Sequence, residues 1–311
     1  MAVIEIEGLR KEYRRLRGGR TVAVGGLDLT VQEGGVFGFL GPNGAGKTTT
    51  IRCLLGLVRP SGGTARLFQA TTRLELAAVL TRVGSIVETP AYFPAFSARR
   101  NLLLLGKVHG IGRREVDAVL ERVGLGERAR DPVRTYSLGM KQRLGIAGAL
   151  LKDPELLILD EPANGLDPAG IKEVRVLLRQ LATEGRTVFL SSHLLGEVEQ
   201  VCDRVAILNR GKAVATGPVR EVLAGGQPAS LLVRVPEPDR AVAALRAASI
   251  EATIEGDHLD VRATSEDAAT VTRTLADAGL YLSELRAREV SLEDVFLDLT
   301  RDATEEGKTQ A

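Results

Sequence analysis

Three short runs in this 311-residue sequence carry residue types whose spacing could do chemistry. The first is Gly41-Pro42-Asn43-Gly44-Ala45-Gly46-Lys47-Thr48, with Thr49 directly after it. Its glycines let backbone N–H groups turn inward around a phosphate chain, and Lys47 can reach β- and γ-phosphate oxygens. The Thr48 hydroxyl is of the type that ligates Mg²⁺ in such a loop. The second run is the apolar stretch from Leu156 to Leu159, which ends in Asp160-Glu161. An apolar strand that delivers a carboxylate pair can hold Mg²⁺ through Asp160 and polarise an attacking water through Glu161 as general base. The third run, Tyr136-Ser137-Leu138-Gly139-Met140-Lys141-Gln142-Arg143, stands just before the acidic strand, with Ser137 placed as a helix N-cap. The first two runs together point to a nucleotide hydrolase.

With the third run the chain resembles the ABC transporter ATPases, whose signature motif occupies this place. The family form is Leu-Ser-Gly-Gly-Gln. This chain keeps Ser137 and Gly139 and departs at Tyr136, Leu138 and Met140. With Lys141 and Gln142 the form is similar to the branch that powers antibiotic and drug exporters in bacteria. The resemblance implies that Ser137, Gly139 and the amides around them grip the γ-phosphate of ATP. It implies that Gly165-Leu166-Asp167-Pro168 is a loop communicating across a dimer, with Asp167 at the nucleotide. It implies that His193, closing Leu190-Ser191-Ser192-His193, contacts γ-phosphate and orients water with Glu161, and that adenine stacks on Tyr13. Glu88 stands where the family commonly has Gln; it can still ligate Mg²⁺ through oxygen but cannot donate an amide hydrogen bond.

The same resemblance implies a head-to-tail pair of identical chains. ATP then lies between the Lys47 loop of one copy and Ser137 of the other, and a separate membrane permease receives the motion. Tyr92, Phe93 and Phe96 either form an apolar surface for a short permease helix or pack inside a helical subdomain. The likeness covers Met1 to Ala224, with a weaker match at Ser291-Leu292-Glu293-Asp294-Val295-Phe296. A soluble ATPase acting on ribosomes or DNA is the alternative. A single phosphate loop, and the lack of long heptads between Lys47 and Asp160, weigh against it, and no nucleic-acid partner is expected. Glu161 and His193 together weigh against a non-hydrolysing binder.

These residues need elements to position them. Val36 to Leu40 is nearly continuously apolar, as a strand buried on both faces should be. Ile51, Leu54, Leu55 and Val58 then recur at helical spacing, so the first run sits between strand and helix. Val3–Leu9 and Thr21–Val31 read as strands. Residues from about 89 to 153 read mostly as helix. Asp167 and Pro168 read as the cap and first residue of a helix with Ile171, Val174, Leu178 and Leu181 on one face. Strand, helix and strand from Leu156 to Leu190 predict a right-handed parallel crossover. Val205–Leu208 and Ala213–Ala215 flank a turn at Asn209-Arg210-Gly211-Lys212 and predict a hairpin.

The character of the chain changes near Gly225-Gly226-Gln227-Pro228, the expected domain boundary. Beyond it the spacing predicts strand (230–235), helix (239–248), strand (251–255), strand (258–261), helix (265–278) and strand (281–290). That is the βαββαβ order of a ferredoxin-like α+β domain. A short helix over 291–299 and a frayed polar tail from 301 to 311 complete the reading. The expected fold is therefore α/β: a P-loop ABC ATPase of residues 1–225 with a mixed sheet core and helical subdomain, followed by an accessory domain over 228–300.

Composition agrees with two folded domains. Hydrophobic residues make up 44% and charged residues 26%, which excludes wholesale disorder. Net charge is +1, but Pro228–Ala311 holds 9 basic and 17 acidic residues, leaving a basic body before it. That asymmetry fits either two differently solvated surfaces or a basic face that meets polyphosphate. Cys53 and Cys202 lie in apolar helical patterns and are expected to be buried thiols rather than a disulfide or metal site. The N-terminus lacks an apolar signal region and no stretch is long enough to span a membrane. The expectation is a cytoplasmic chain, peripheral on the inner membrane face through its permease.

Overall fold

The computed structural model describes residues 1–14, 19–71, 75–88, 91–224, 230–288 and 291–297. The chain divides into two compact units, Met1–Val219 and Arg220–Ala311. The expected boundary at 225–228, the helical-subdomain start at Thr89 and the 301–311 tail lie outside the described residues.

The first unit begins with β1 (Ala2–Arg14), β2 (Arg20–Gln32), β3 (Gly35–Leu40), α1 (Lys47–Leu54), β4 (Gly62–Leu67) and β5 (Ala70–Thr71). It continues through α2 (Leu76–Val79), β6 (Val83–Ile86), α3 (Ala98–Gly106), α4 (Arg113–Arg122) and α5 (Leu138–Leu150). It closes with β7 (Leu156–Asp160), α6 (Pro168–Thr183), β8 (Thr187–Ser192), α7 (Leu195–Val201), β9 (Arg204–Asn209) and β10 (Lys212–Pro218). The helix α8 (Val219–Ala224) crosses the division.

One sheet has the order β2-β1-β4-β5, with antiparallel pairs. The other, β10-β9-β3-β8-β7-β6, is parallel from β9 to β6 and carries β10 as an antiparallel edge. Every residue of β7 and β8 is buried, and their apolar runs Leu156–Leu159 and Val188–Leu190 suit strands covered on both faces. The two sheets and α1 share one core that includes Ile4, Leu27, Phe39, Ile51, Ile158 and Phe189. The Phe189 ring lies 5.8 Å from Phe37 and 5.2 Å from Phe39, within the range of favourable aromatic pairs. Between β6 and β7 the described regular elements are helices, with α3, α4 and α5 packed on one another. At the β9–β10 turn Arg210 and Gly211 both have positive φ, the conformation a two-residue hairpin demands.

The second unit carries β11 (Leu231–Arg234), α9 (Pro238–Ala247), β12 (Ala252–Glu255), β13 (His258–Val261), α10 (Ala268–Asp277) and β14 (Glu284–Ala287). The strands lie in the order β12-β13-β11-β14, and every neighbouring pair is antiparallel. Leu231, Val233, Leu245, Leu259, Val261 and Leu275 form its core. Two expectations change here. The helix expected from Ser265 opens as a 3-10 turn over Ser265–Asp267, and of the strand expected over 281–290 the described residues up to 288 form only β14. Residues 292–297 are helical.

Among the described residues no helix is long and apolar enough to cross a membrane. Cys53 and Cys202 are free and buried, and burial pushes both thiols above their ordinary range. Cys53 lies within α1, whereas Cys202 follows the last residue of α7 as its C-cap.

Candidate active site

The carboxyl ends of β3, β8 and β7 lie side by side, and each contributes to one cluster. Ligands of open α/β sheets bind at such strand ends. From β3 the chain enters the glycine loop and then α1. Gly46 has φ 102°, and a Cβ there would come 2.4 Å from the Ala23 carbonyl oxygen, so only glycine fits. The loop is braced from outside. Gly41 N–H donates to the Ser192 carbonyl (3.3 Å), Gly211 N–H to Ala45 (3.0 Å), and Gly25 N–H to Gly211 (2.9 Å). Pro42, Asn43 and Gly44 are exposed at its outer bend, and Thr48 and Thr49 are half-buried at the start of α1. No side chain caps α1 and its first turn holds no acidic residue, so its leading amides and positive dipole end suit an anion.

Lys47 is 5% exposed. Its Nζ donates to the carbonyls of Gly41 (2.6 Å) and Pro42 (3.4 Å) and lies 3.1 Å from Glu161 Oε1. The other carboxylate oxygen, Oε2, is 2.7 Å from His193 Nδ1, and the His193 backbone N–H also points to it at 3.4 Å. Glu161 therefore bridges the phosphate-loop lysine and the histidine that follows β8. It reaches that position because the chain turns sharply after β7: Glu161 has φ 50°, a region few non-glycine residues enter. Ser191 holds the turn. The Glu161 N–H donates to the Ser191 carbonyl (3.2 Å) and to Ser191 Oγ (3.0 Å), while the Ser191 hydroxyl donates to Asp160 Oδ1. Asp160 is 9% exposed, opposite Ser191 in the β7–β8 register.

Glu88 follows β6 and has φ 69°. It lines a 360 Å³ cavity together with Asp160, Glu161, Leu138, Lys141 and Gln142, so the fold brings it to the acidic strand end. Its carboxylate pairs with Arg52 of α1. Tyr13 is partly exposed, with the Lys11 ammonium 4.8 Å over its ring. It pairs with Thr21, two residues along β2 from the Ala23 carbonyl that faces Gly46.

Ser137 and Asp167 behave as caps. Ser137 Oγ accepts from Met140 N–H (3.2 Å) and Asp167 Oδ1 from Gly170 N–H (3.0 Å). A Cβ on Gly139 would lie 3.8 Å from the Gly170 Cα, so the first turns of α5 and α6 are neighbours. Ser137 makes its hydrogen bond inside α5 rather than with Lys47, Glu161 or His193. The aromatics after Glu88 divide. The Tyr92 hydroxyl donates to the Leu144 carbonyl (2.9 Å) and burial pushes its phenol up, whereas Phe93 is 60% exposed.

Ser191 and Arg52 are the two residues sequence reasoning missed. Ser191 had a signal: it sits within the run that ends in His193. Arg52 had none, because its partner lies 36 positions away.

A glycine loop between strand and helix, with a lysine, two carboxylates and a histidine gathered at parallel strand ends, defines a P-loop nucleotide hydrolase. A family model described as ABC transporter matches residues 24–164. The bacitracin transport ATP-binding protein BcrA of Bacillus licheniformis is 49% identical over 218 residues, 70% of each chain. The daunorubicin/doxorubicin resistance ATP-binding protein DrrA of Streptomyces peucetius is 34% identical over 318 positions, 99% of this chain and 95% of that one. The structure of cbiO1 from Clostridium perfringens, part of the ABC transporter complex cbiONQ, has a TM-score of 0.63 at 29% identity, covering 72% of this chain and 91% of that one. The ATP-binding cassette MJ0796, a dimer bound to ADP and Pi, has the same fold (TM-score 0.63, 22% identity, 70% of this chain and 99% of that one). The chain belongs to the ABC transporter ATP-binding proteins and is an ATPase.

Proposed function

We propose that this chain is the ATP-hydrolysing subunit of a transporter that exports drug- or antibiotic-like molecules through a separate membrane permease. The observation that carries the hydrolytic part is Glu161, held between Lys47 Nζ (3.1 Å) and His193 Nδ1 (2.7 Å) at the end of β7. The cargo class rests on the relatives named for bacitracin transport and for daunorubicin and doxorubicin resistance. Those names also favour transport over action on ribosomes or DNA.

In this reading the amides from Gly41 to Thr49 wrap the triphosphate and Lys47 neutralises its β- and γ-oxygens. Tyr13 stacks on adenine. Glu161 accepts the proton of the attacking water, and His193 fixes the direction of that carboxylate through Nδ1 and contacts γ-phosphate. The donor types are all oxygen, the Thr48 hydroxyl, the second carboxylate oxygen of Asp160 and the Glu88 carboxylate, which suits a hard divalent cation. These residues would hold Mg²⁺, which withdraws charge from the phosphates when bound. Ser137, Gly139 and Asp167 act on the nucleotide of a second copy packed head to tail. The permease docks on the helical subdomain near residues 88–96, where Phe93, Leu104 and Leu105 leave apolar side chains exposed. The pair thus works on the cytoplasmic face of the membrane.

Glu161→Gln tests the central claim. The amide keeps the shape and removes the base, so phosphate release falls by about 100-fold or more while ATP binding survives. Unchanged turnover would remove Glu161 from the mechanism.

A further inference from the structure

The cavity at the end of β7 is lined by three carboxylates, Glu88, Asp160 and Glu161, and by two cations, Lys141 and Arg134. A triphosphate brought there meets three negative charges. Glutamine at position 88 would add none; glutamate adds one and therefore needs a cation. Among the described residues, Glu161 and Glu88 pair directly with a lysine and an arginine, and both of those cations belong to α1. Lys47 opens the helix and lies against Glu161. Arg52 stands near its end, and its Nη2 donates to Glu88 Oε1. Glu88 also holds a left-handed backbone conformation (φ 69°) that glutamate seldom adopts. Its carboxylate meets the guanidinium although the Glu88 side chain is largely exposed.

We infer that Arg52 is a positioning residue for ATP hydrolysis: it competes with the divalent cation for the Glu88 carboxylate and so sets the magnesium requirement of the site. This rests on reading the cavity as the Mg²⁺–ATP site. An acidic side chain has lone pairs for either cation but cannot give both full strength at once. With Arg52 engaged, Glu88 carries little net charge toward the triphosphate. With Arg52 removed, Glu88 is free for the metal, and it repels nucleotide when metal is absent.

The test is binding of a fluorescent ATP analogue to the full chain, titrated with Mg²⁺ and repeated in EDTA. Arg52→Gln lowers the Mg²⁺ midpoint by about two- to fivefold, the worth of one exposed ion pair, and weakens metal-free binding by a similar factor. Arg52→Lys keeps the charge and stays within about twofold of wild type. Glu88→Gln raises the midpoint, and adding Arg52→Gln to it changes nothing more. An unchanged or raised midpoint in Arg52→Gln overturns the inference, as does an equal shift in the Glu88→Gln background. An unchanged midpoint in Glu88→Gln overturns it too, whatever the folding of the arginine variants. Failure of the underlying reading looks different: wild-type binding would ignore Mg²⁺, or Lys47→Ala would bind as wild type does.

Discussion

Ser191 is fully buried, and its hydroxyl works in both directions: it donates to Asp160 Oδ1 and accepts from the Glu161 N–H at 3.0 Å. One oxygen therefore ties the proposed metal carboxylate to the backbone of the proposed base. Ser191→Ala strands a buried carboxylate oxygen and loosens the left-handed turn at Glu161. The expected cost is about 1–3 kcal/mol of unfolding free energy, read from denaturant titration. Turnover falls further than stability does, because the turn aims Glu161 between Lys47 and His193. A variant that lost neither would separate Ser191 from the site. Cysteine at 191 keeps a weak donor but lengthens the contact, and recovers only part of the loss.

At the scale of elements, the start of α5 has two candidate duties. Ser137 caps the helix by accepting from Met140 N–H, and in the proposed pair it meets the γ-phosphate of the other copy. Two substitutions separate these duties. Aspartate caps as well as serine, so Ser137→Asp keeps the melting temperature, yet it sets a negative charge against phosphate and abolishes turnover. Ser137→Ala loses the cap, about 1 kcal/mol, and removes the hydroxyl while adding no charge. If Ser137→Asp turned over ATP at the wild-type rate, capping would be its whole role.

The strand–loop–helix around Lys47, the Asp167–Pro168 start of α6 and the β9–β10 hairpin were all legible in sequence, because each is written in local residues: glycines, a cap, a turn pair. β4, β5 and β6 were not, since Gly62–Leu67 buries only Ala65 and Leu67 and the others are two and four residues long. The sheet order β3-β8-β7 is non-local, so the meeting of Lys47, Asp160 and His193 could come only from family resemblance. The Arg52–Glu88 pair could come from neither source, because it depends on how α1 passes the end of β6.

At the scale of the whole molecule, the distribution of groups within one chain bears on the assembly. Lys47, Asp160, Glu161 and His193 gather at strand ends, while Ser137 spends its hydrogen bond on its own helix. If each site needs Lys47 from one copy and Ser137 from another, two dead variants can rescue each other. Lys47→Ala lacks the loop cation and Ser137→Asp carries the repelling charge, so each alone is inactive. In a mixed pair, one interface joins both defects, and the other joins an intact lysine to an intact serine. Equal mixing with free exchange makes half the pairs mixed, each with one sound site, so activity returns to about a quarter of wild type if the two sites fire independently. Steady-state phosphate release, measured as the second variant is added to the first, reads this directly. The recovered activity also declines on dilution, faster than in proportion to protein, as pairs dissociate. A mixture as inactive as its components would mean that each chain encloses its own nucleotide, and the head-to-tail arrangement would have to be abandoned.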